Sequence, residues 1–332
     1  MMNKSTKLLF SSTLVLSVMI SISASSWLTA WMAMEINLMS FMPMMMTKNS
    51  LPSKEASLTY YVIQTMASML LMMSIITKTV LILANLYNMM IISALMMKMG
   101  VFPFHFWLPK TMEGLSWNNC LLMMTIQKMI PMMLMSTLIN NNMTTMMMML
   151  MSVMVGSIGG MNQTSLRKMM AYSSVSNNGW MMLAMMISQT TWLLYFVLYS
   201  IMTFIITSTM STYNNYHINQ VSSMNESPGT KITLLMNMLS MSGLPPMMGF
   251  LPKLLVIQAS IMKMQMTLLL MIMMMTMITI YFYLRVMFTS IMLTMNENKW
   301  SNKTKQKKNM TMMTSTMSII GLTMMTILMG FN

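Results

Sequence analysis

Charge is what this sequence has least of. Only 7% of its 332 residues are Asp, Glu, Lys or Arg, and aspartate does not occur at all, whereas a soluble globular chain carries about 25% charged residues. With 56% of residues hydrophobic, too little polar surface remains to cover a water-soluble globule of this length, so the chain reads as an all-α polytopic membrane protein. Cysteine is almost missing as well. Cys120 stands alone beside two histidines, which excludes an intramolecular disulfide and an iron–sulfur cluster ligated by four thiolates of this chain. No Gly-x-Gly-x-x-Gly stretch occurs, so no Rossmann-type dinucleotide site is expected.

The scarce charge is one-sided, 19 Lys and Arg against five acidic residues, for a net +14. In a soluble domain that balance points to nucleic acid. Here the basic residues mostly sit in short connectors between apolar runs and build no face, so nucleic acid is not an expected partner. What the chain has in excess is methionine, 66 residues, standing where Leu or Ile would fill a helix; the flexible thioether packs adequately there. Because Met is spread along the whole chain, we read the bias as genomic: an AT-rich mitochondrial genome whose code reads an isoleucine codon as Met.

A helix needs roughly 20 apolar residues to cross the hydrocarbon. On that measure the sequence predicts about eleven transmembrane helices, near 6–25, 26–46, 57–79, 86–107, 118–138, 143–161, 167–187, 190–212, 230–263, 266–290 and 311–331. The ninth is too long for one straight span and contains Gly243-Leu244-Pro245-Pro246, so it reads as two half-helices joined by a break. The first run, with Lys4 and Lys7 before it and Ala24-Ser25-Ser26 after it, has features of a signal peptide; the next span begins at once, and we read it as membrane-resident. Eleven spans put Lys4, Lys7, Lys48, Lys54, Lys110, Arg167, Lys168, Lys231 and the cluster Lys299, Lys303, Lys305, Lys307 and Lys308 on one side. Only Lys78 and Lys263 fall on the other, near span ends where they can snorkel. The positive-inside rule then places the N-terminus on the matrix or cytoplasmic side and the C-terminus opposite. The basic cluster reads first as a solvated orienting loop and second as a cardiolipin site.

Four ionisable groups break the apolar pattern: Glu35, Lys98, Lys128 and Lys253. A charge at bilayer depth costs about 2.5–3.5 kcal/mol on the mildest scale and therefore faces a partner or a wet cavity. Two of the lysines stand beside helix breakers. Lys98 is followed by Gly100 and Pro103 in Lys98-Met99-Gly100-Val101-Phe102-Pro103-Phe104-His105-Phe106-Trp107-Leu108-Pro109, and Lys253 ends the run that starts at Gly243. Interrupted backbone frees carbonyls that can meet an ammonium and water. A pair of Gly/Pro-broken hydrophobic segments, one in each half, points to an inverted-repeat transporter architecture. We take the chain as one transmembrane domain over 1–332, with a first repeat near 6–161, a second near 167–290, and a C-terminal helix at 311–331. His105 in its aromatic run and His217 in a polar connector read as structural, and the tryptophans mostly as interfacial anchors.

The strings LMMKMGVFPFHFWLP, NQTSLRKMMAYSS and SGLPPMMGFLPK resemble the antiporter-like membrane subunits of respiratory complex I. Trp31-Met32-Ala33-Met34-Glu35-Ile36-Asn37 and Thr125-Ile126-Gln127-Lys128 narrow the resemblance to the mitochondrial subunit 2 branch of that family, in an arthropod-like version. It covers nearly the full length, and eleven spans match the shortened animal form. It implies that Glu35 pairs with Lys98, that Lys128 is a connecting lysine and Lys253 a terminal one, and that protons move through them in the mitochondrial inner membrane. Altering the distance between a carboxylate and a buried ammonium changes how tightly the latter holds its proton. Water at Asn177, Asn237, Ser240 and Ser242 would link the sites. The family often has a histidine where Asn177 stands; an amide cannot titrate, so this position is expected to order water rather than relay protons. The resemblance further implies no cofactor bound by this chain, with NADH, FMN, iron–sulfur clusters and ubiquinone in partner subunits. The partners expected are the other complex I membrane-arm subunits and phospholipid. The alternatives are a stand-alone cation/proton antiporter, which the same broken-helix plan would serve, and a purely structural membrane spacer.

Overall fold

The computed structural model describes residues 4–46, 50–80, 84–139, 143–222, 228–245, 247–264 and 266–292. The eleventh expected span, the basic cluster between 299 and 308, and Pro246 lie outside those residues. Within them the chain forms fourteen helices: α1 (Lys4–Ile22), α2 (Trp27–Met45), α3 (Leu51–Val80), α4 (Ala84–Met99), α5 (Trp107–Gly114), α6 (Trp117–Met124), α7 (Ile126–Ser136), α8 (Met143–Gly160), α9 (Leu166–Ile187), α10 (Gln189–Tyr213), α11 (Ile218–Ser222), α12 (Pro228–Ser242), α13 (Phe250–Met262) and α14 (Met266–Met292). No strand is present among the described residues; Ser165 and His217 form an isolated antiparallel bridge. Ten expected spans are accounted for in order, two of them as helix pairs, α6 with α7 and α12 with α13, while α5 and α11 lie in the stretches between expected spans.

Local chemistry starts and stops these helices. Ser26 caps α2 through a capping box with Thr29, and the Ser188 side chain accepts from the Thr191 N–H at the head of α10, satisfying donors that have no partner inside the helix. Asn214, in the left-handed region at φ 54°, closes α10; asparagine tolerates that conformation better than most residues. Five helices, α1, α3, α8, α10 and α14, are individually long and apolar enough to cross a membrane. The remaining spans carry polar side chains or are broken, and the polar ones are the shielded ones. In α9, which carries Asn177 and Asn178, most residues from Leu166 to Met186 are buried, while α1 and α3 expose Leu8, Leu16, Met19, Val62, Met66 and Met69. Exposed apolar side chains and buried amides are what lipid as solvent demands.

The chain divides into two compact units after Met148. In the first, α2 packs on α1 and α3, α3 on α4 and α5, and α7 on α4, α6 and α1. In the second, α10 packs on α9, α12 and α13, and α14 on α11, α12 and α13. Each unit contains one helix interrupted by a left-handed glycine, Gly100 at φ 69° and Gly243 at φ 79°, a conformation costly to residues with a Cβ.

The fifth span departs from the sequence expectation of one continuous helix over 118–138. It is interrupted at Thr125 (φ −111°, ψ −79°). The Thr125 hydroxyl donates back to the Leu121 carbonyl at 2.8 Å, the i−4 bond that bends helices. Pro131, inside α7, has no N–H to offer the carbonyl of Gln127.

Candidate functional site

Lys98 lies in the last turn of α4, two residues before the left-handed Gly100. The partial negative charge at a helix C-terminus suits an ammonium. The side chain is 6% exposed and borders a cavity of about 10 Å³ with Asn37, Tyr60, Gln64, Gln127 and Pro131, the lower bound for one water molecule. Gln64 Nε2 donates to the Lys98 carbonyl at 3.4 Å. Asn37 and Gln127 exchange two amide hydrogen bonds, Asn37 Nδ2 to Gln127 Oε1 at 3.0 Å and Gln127 Nε2 to Asn37 Oδ1 at 3.1 Å. The Tyr60 hydroxyl donates to the same Oε1 at 3.0 Å.

Glu35 is on α2, half-buried, in the wall of an open groove of about 570 Å³ that includes Leu9, Phe10, Thr13, Ile36 and Met39. Its Oε1 is buried without a hydrogen-bond partner. That groove shares no lining residue with the Lys98 cavity. Lys128, 2% exposed, sits in the first turn of α7, its N–H bonded to the Thr125 carbonyl at 3.1 Å. It too is a lysine immediately beside an interruption.

Lys253, 6% exposed, occupies the first turn of α13. The positive end of a helix is the wrong place for a cation, and the side chain corrects this by reaching back: Nζ donates to the Ser242 carbonyl, the last residue of α12, at 2.6 Å. It also stands 5.9 Å from the ring centre of Trp180, at the edge of cation–π range. A Cβ on Gly243 would lie 2.9 Å from Lys253 Nζ, so this glycine is required by its φ and by the ammonium packed on it. Gly249 is required by contact alone, since a Cβ there would fall 1.7 Å from the Ser240 carbonyl oxygen. Lys253 borders a cavity of about 20 Å³ with Asn177, Tyr195, Tyr199, Ser240 and Gly249, again room for about one water.

Of the expected water-ordering residues, Asn177 and Ser240 line that cavity. The Tyr195 hydroxyl donates to Asn177 Oδ1 at 3.2 Å. Ser242 enters through its carbonyl, its hydroxyl being bonded to Leu239 at 2.6 Å. Asn237 is 1% exposed, and neither its Nδ2 nor its Oδ1 has a hydrogen-bond partner, a rare and costly state for a buried amide. His105 is packed with Phe102 and Phe106, ring centres 6.3 and 4.1 Å away.

Asn37, Tyr60, Gln64 and Gln127 escaped the sequence analysis as site residues. They are neutral, and the hydrogen bonds among Asn37, Tyr60 and Gln127 join positions 67 and 90 residues apart. A signal existed all the same. An amide set in an apolar span is expensive unless paired, and Asn37, Gln64 and Gln127 each stand in one.

Comparison with known proteins places this geometry in context. Residues 24–279 match the family described as NADH:quinone oxidoreductase/Mrp antiporter, transmembrane. The chain is 41% identical to NADH-ubiquinone oxidoreductase chain 2 of Locusta migratoria, over 93% of this chain and 92% of the other. To the protein of that name from Anopheles gambiae it is 40% identical, over 98% and 99%. Among solved structures it superposes on a chain of respiratory complex I from Thermus thermophilus with bound aureothin, at TM-score 0.84 and 18% identity, over 97% of this chain and 79% of that one. It also superposes on a chain of the Mrp complex from Dietzia sp., at TM-score 0.77 and 15% identity, over 89% and 61%. At those identities the two structures speak for the fold alone.

Proposed function

This chain belongs to the NADH:quinone oxidoreductase/Mrp antiporter membrane family, and from that premise we propose that it is a core proton-translocating subunit in the membrane arm of NADH:ubiquinone oxidoreductase, of the mitochondrial inner membrane. The observation that carries the proposal is a repeated one: in a chain of this family, Lys98, Lys128 and Lys253 are all buried, each next to an interrupted helix. A structural lysine would gain more by reaching the interface, whereas a proton carrier must be where water is scarce and countable.

In this reading the chain performs no redox chemistry. NADH, FMN, the iron–sulfur clusters and ubiquinone belong to partner subunits, and quinone reduction there drives an electrostatic or conformational change along the membrane arm. Here that change is received as a shift in the distance or charge of Glu35. A carboxylate moving toward Lys98 strengthens the ammonium's hold on its proton, and a carboxylate moving away weakens it in a site where burial already disfavours charge. Lys128 acts as the connecting carrier and Lys253 as the terminal one. Asn177 and Ser240 favour water beside Lys253, while Asn237 and Ser242 supply further polar groups to that half. The N-terminus faces the matrix and the C-terminus the intermembrane space. The other membrane-arm subunits and phospholipid, cardiolipin included, complete the surroundings.

Lys98→Met in the assembled complex tests this directly. The expected result is normal assembly and NADH oxidation with a lowered ratio of protons pumped to electrons transferred. An unchanged ratio at normal assembly would make the chain a structural spacer. A second reading, a self-sufficient cation/proton antiporter, draws on the likeness to the Mrp chain. The purified chain in liposomes should then dissipate a sodium or potassium gradient, and the proposed function expects that it does not.

A further inference from the structure

The amide pair between α2 and α7 has no part in the scheme above. Amides do not titrate, so Asn37 and Gln127 are not proton carriers. Their arrangement is nonetheless specific. Each amide donates to and accepts from the other, at 3.0 and 3.1 Å, which holds two planar groups edge to edge and ties α2 to α7. Tyr60, 2% exposed on α3, fills the second acceptor position of Gln127 Oε1 at 3.0 Å. Three helices therefore meet at one carbonyl oxygen, on the wall of the Lys98 cavity.

The position of the pair along the chain gives it leverage. Asn37 is two residues beyond Glu35, and successive helical residues turn by about 100°, so the two side chains leave α2 on nearly opposite sides. Asn37 borders the Lys98 cavity and Glu35 the groove toward α1. Rotating α2 enough to swing Glu35 toward or away from Lys98 must strain or open the Asn37–Gln127 pair. At its other end, Gln127 immediately precedes Lys128 and follows the interruption at Thr125, where backbone turns more easily than within a continuous helix.

We propose that the Asn37–Gln127 pair, locked by Tyr60, is a releasable clamp that sets the rotation of α2 and thereby the distance of Glu35 from Lys98. These are positioning residues: they act on the proton carriers through Glu35 and through the start of α7. The inference rests on the proton-translocation reading. The titratable groups around Lys98 are Glu35 from α2, Tyr60 from α3 and, one residue from Gln127 on α7, Lys128.

The test is the pH profile of NADH-driven proton pumping in the assembled complex. Asn37→Ala and Gln127→Ala should each move its midpoint by about one pH unit, a tenfold change in proton affinity. The double variant should move it no further, because either single change already opens the clamp. The exchanged pair, Asn37→Gln with Gln127→Asn, keeps the combined side-chain length and should return the profile to its original place. If the alanine variants do not assemble, Tyr60→Phe decides, since it keeps the ring and removes only the hydroxyl; a smaller shift in the same direction is expected. Unmoved profiles in assembled variants, or single shifts that add in the double, overturn the clamp. Lys98→Met separates the two ideas. If its proton-to-electron ratio is unchanged the proton-translocation reading fails, whereas a lowered ratio in Lys98→Met with unmoved profiles in the other variants removes the clamp alone.

Discussion

The two glycine breaks use one device in mirror fashion. At the first, Lys98 precedes its glycine and sits at the C-terminal end of α4, where a helix welcomes a cation. At the second, Lys253 follows its glycine and is attached to the N-terminal end of α13, where a helix repels one. Lys253 nevertheless reaches a helix C-terminus as well, its ammonium folding back to 2.6 Å from the terminal carbonyl of α12. The helix end a charge is attached to matters less than the helix end it reaches, and a broken span always has one of each polarity within a side chain's length.

They differ in what else surrounds the lysine. Lys98 shares its cavity with three amides and a phenol, whereas Lys253 shares its own with one amide and two phenols and is bonded directly to a backbone carbonyl. The second site therefore holds its ion by a direct bond to backbone, while the first surrounds it with side-chain amides bonded to one another. Substitutions can break this contrast or sharpen it. The largest effect is expected from Gly249→Ala. A Cβ 1.7 Å from a backbone oxygen cannot be relieved by a rotamer change, and the cost should reach about 3 kcal/mol, the upper end for overpacking. Loss of the assembled complex on a native gel is the expected outcome.

Next come the two left-handed glycines, where a Cβ costs about 1–2 kcal/mol from backbone conformation alone. Gly243→Ala adds a collision with the Lys253 ammonium at 2.9 Å, and Gly100→Ala one with a Leu108 methyl, also at 2.9 Å. A methyl can move aside, whereas an ammonium held to a carbonyl loses its bond in doing so. Both variants should assemble less well. Of the complex that does form, Gly243→Ala should pump fewer protons per electron while Gly100→Ala keeps the normal ratio. Equal ratios would mean that the Ser242 carbonyl is not what steadies Lys253.

Tyr195→Phe should have a smaller effect. It removes the donor to Asn177 at 3.2 Å, a loss of about 0.5–1.5 kcal/mol, and should slow proton-coupled turnover without reducing assembly. Trp180→Phe should have the smallest. At 5.9 Å the ring contributes about 0.5 kcal/mol to holding the ion, and phenylalanine keeps part of that. Turnover should stay near normal, and a severe defect would show Trp180 to be more than a packing surface for Lys253.

Much of this molecule can be read locally. Apolar run length marks ten of the spans that the described helices match, and Gly100 and Gly243 mark two interruptions, because a left-handed backbone leaves a trace in the one residue type that tolerates it. The third interruption left none: Thr125 keeps a negative φ, and threonine in a membrane helix is unremarkable. Helix limits were legible only approximately. The third span starts at Leu51 rather than near 57, since the polar turn Pro52-Ser53-Lys54-Glu55 is helical despite its hydrophilicity.

What the sequence by itself determined is the class of protein, the order of its spans and which charges are stranded among them, for these follow from the transfer cost of each residue and the conformational freedom of glycine. What only the tertiary structure decided is whom each stranded group meets: Lys253 the last carbonyl of the preceding helix, Asn37 the amide of Gln127 and the phenol of Tyr60 beside it. Partners so far apart along the chain are chosen by how helices pack, and pairwise proximity in space has no counterpart in the composition of any one segment.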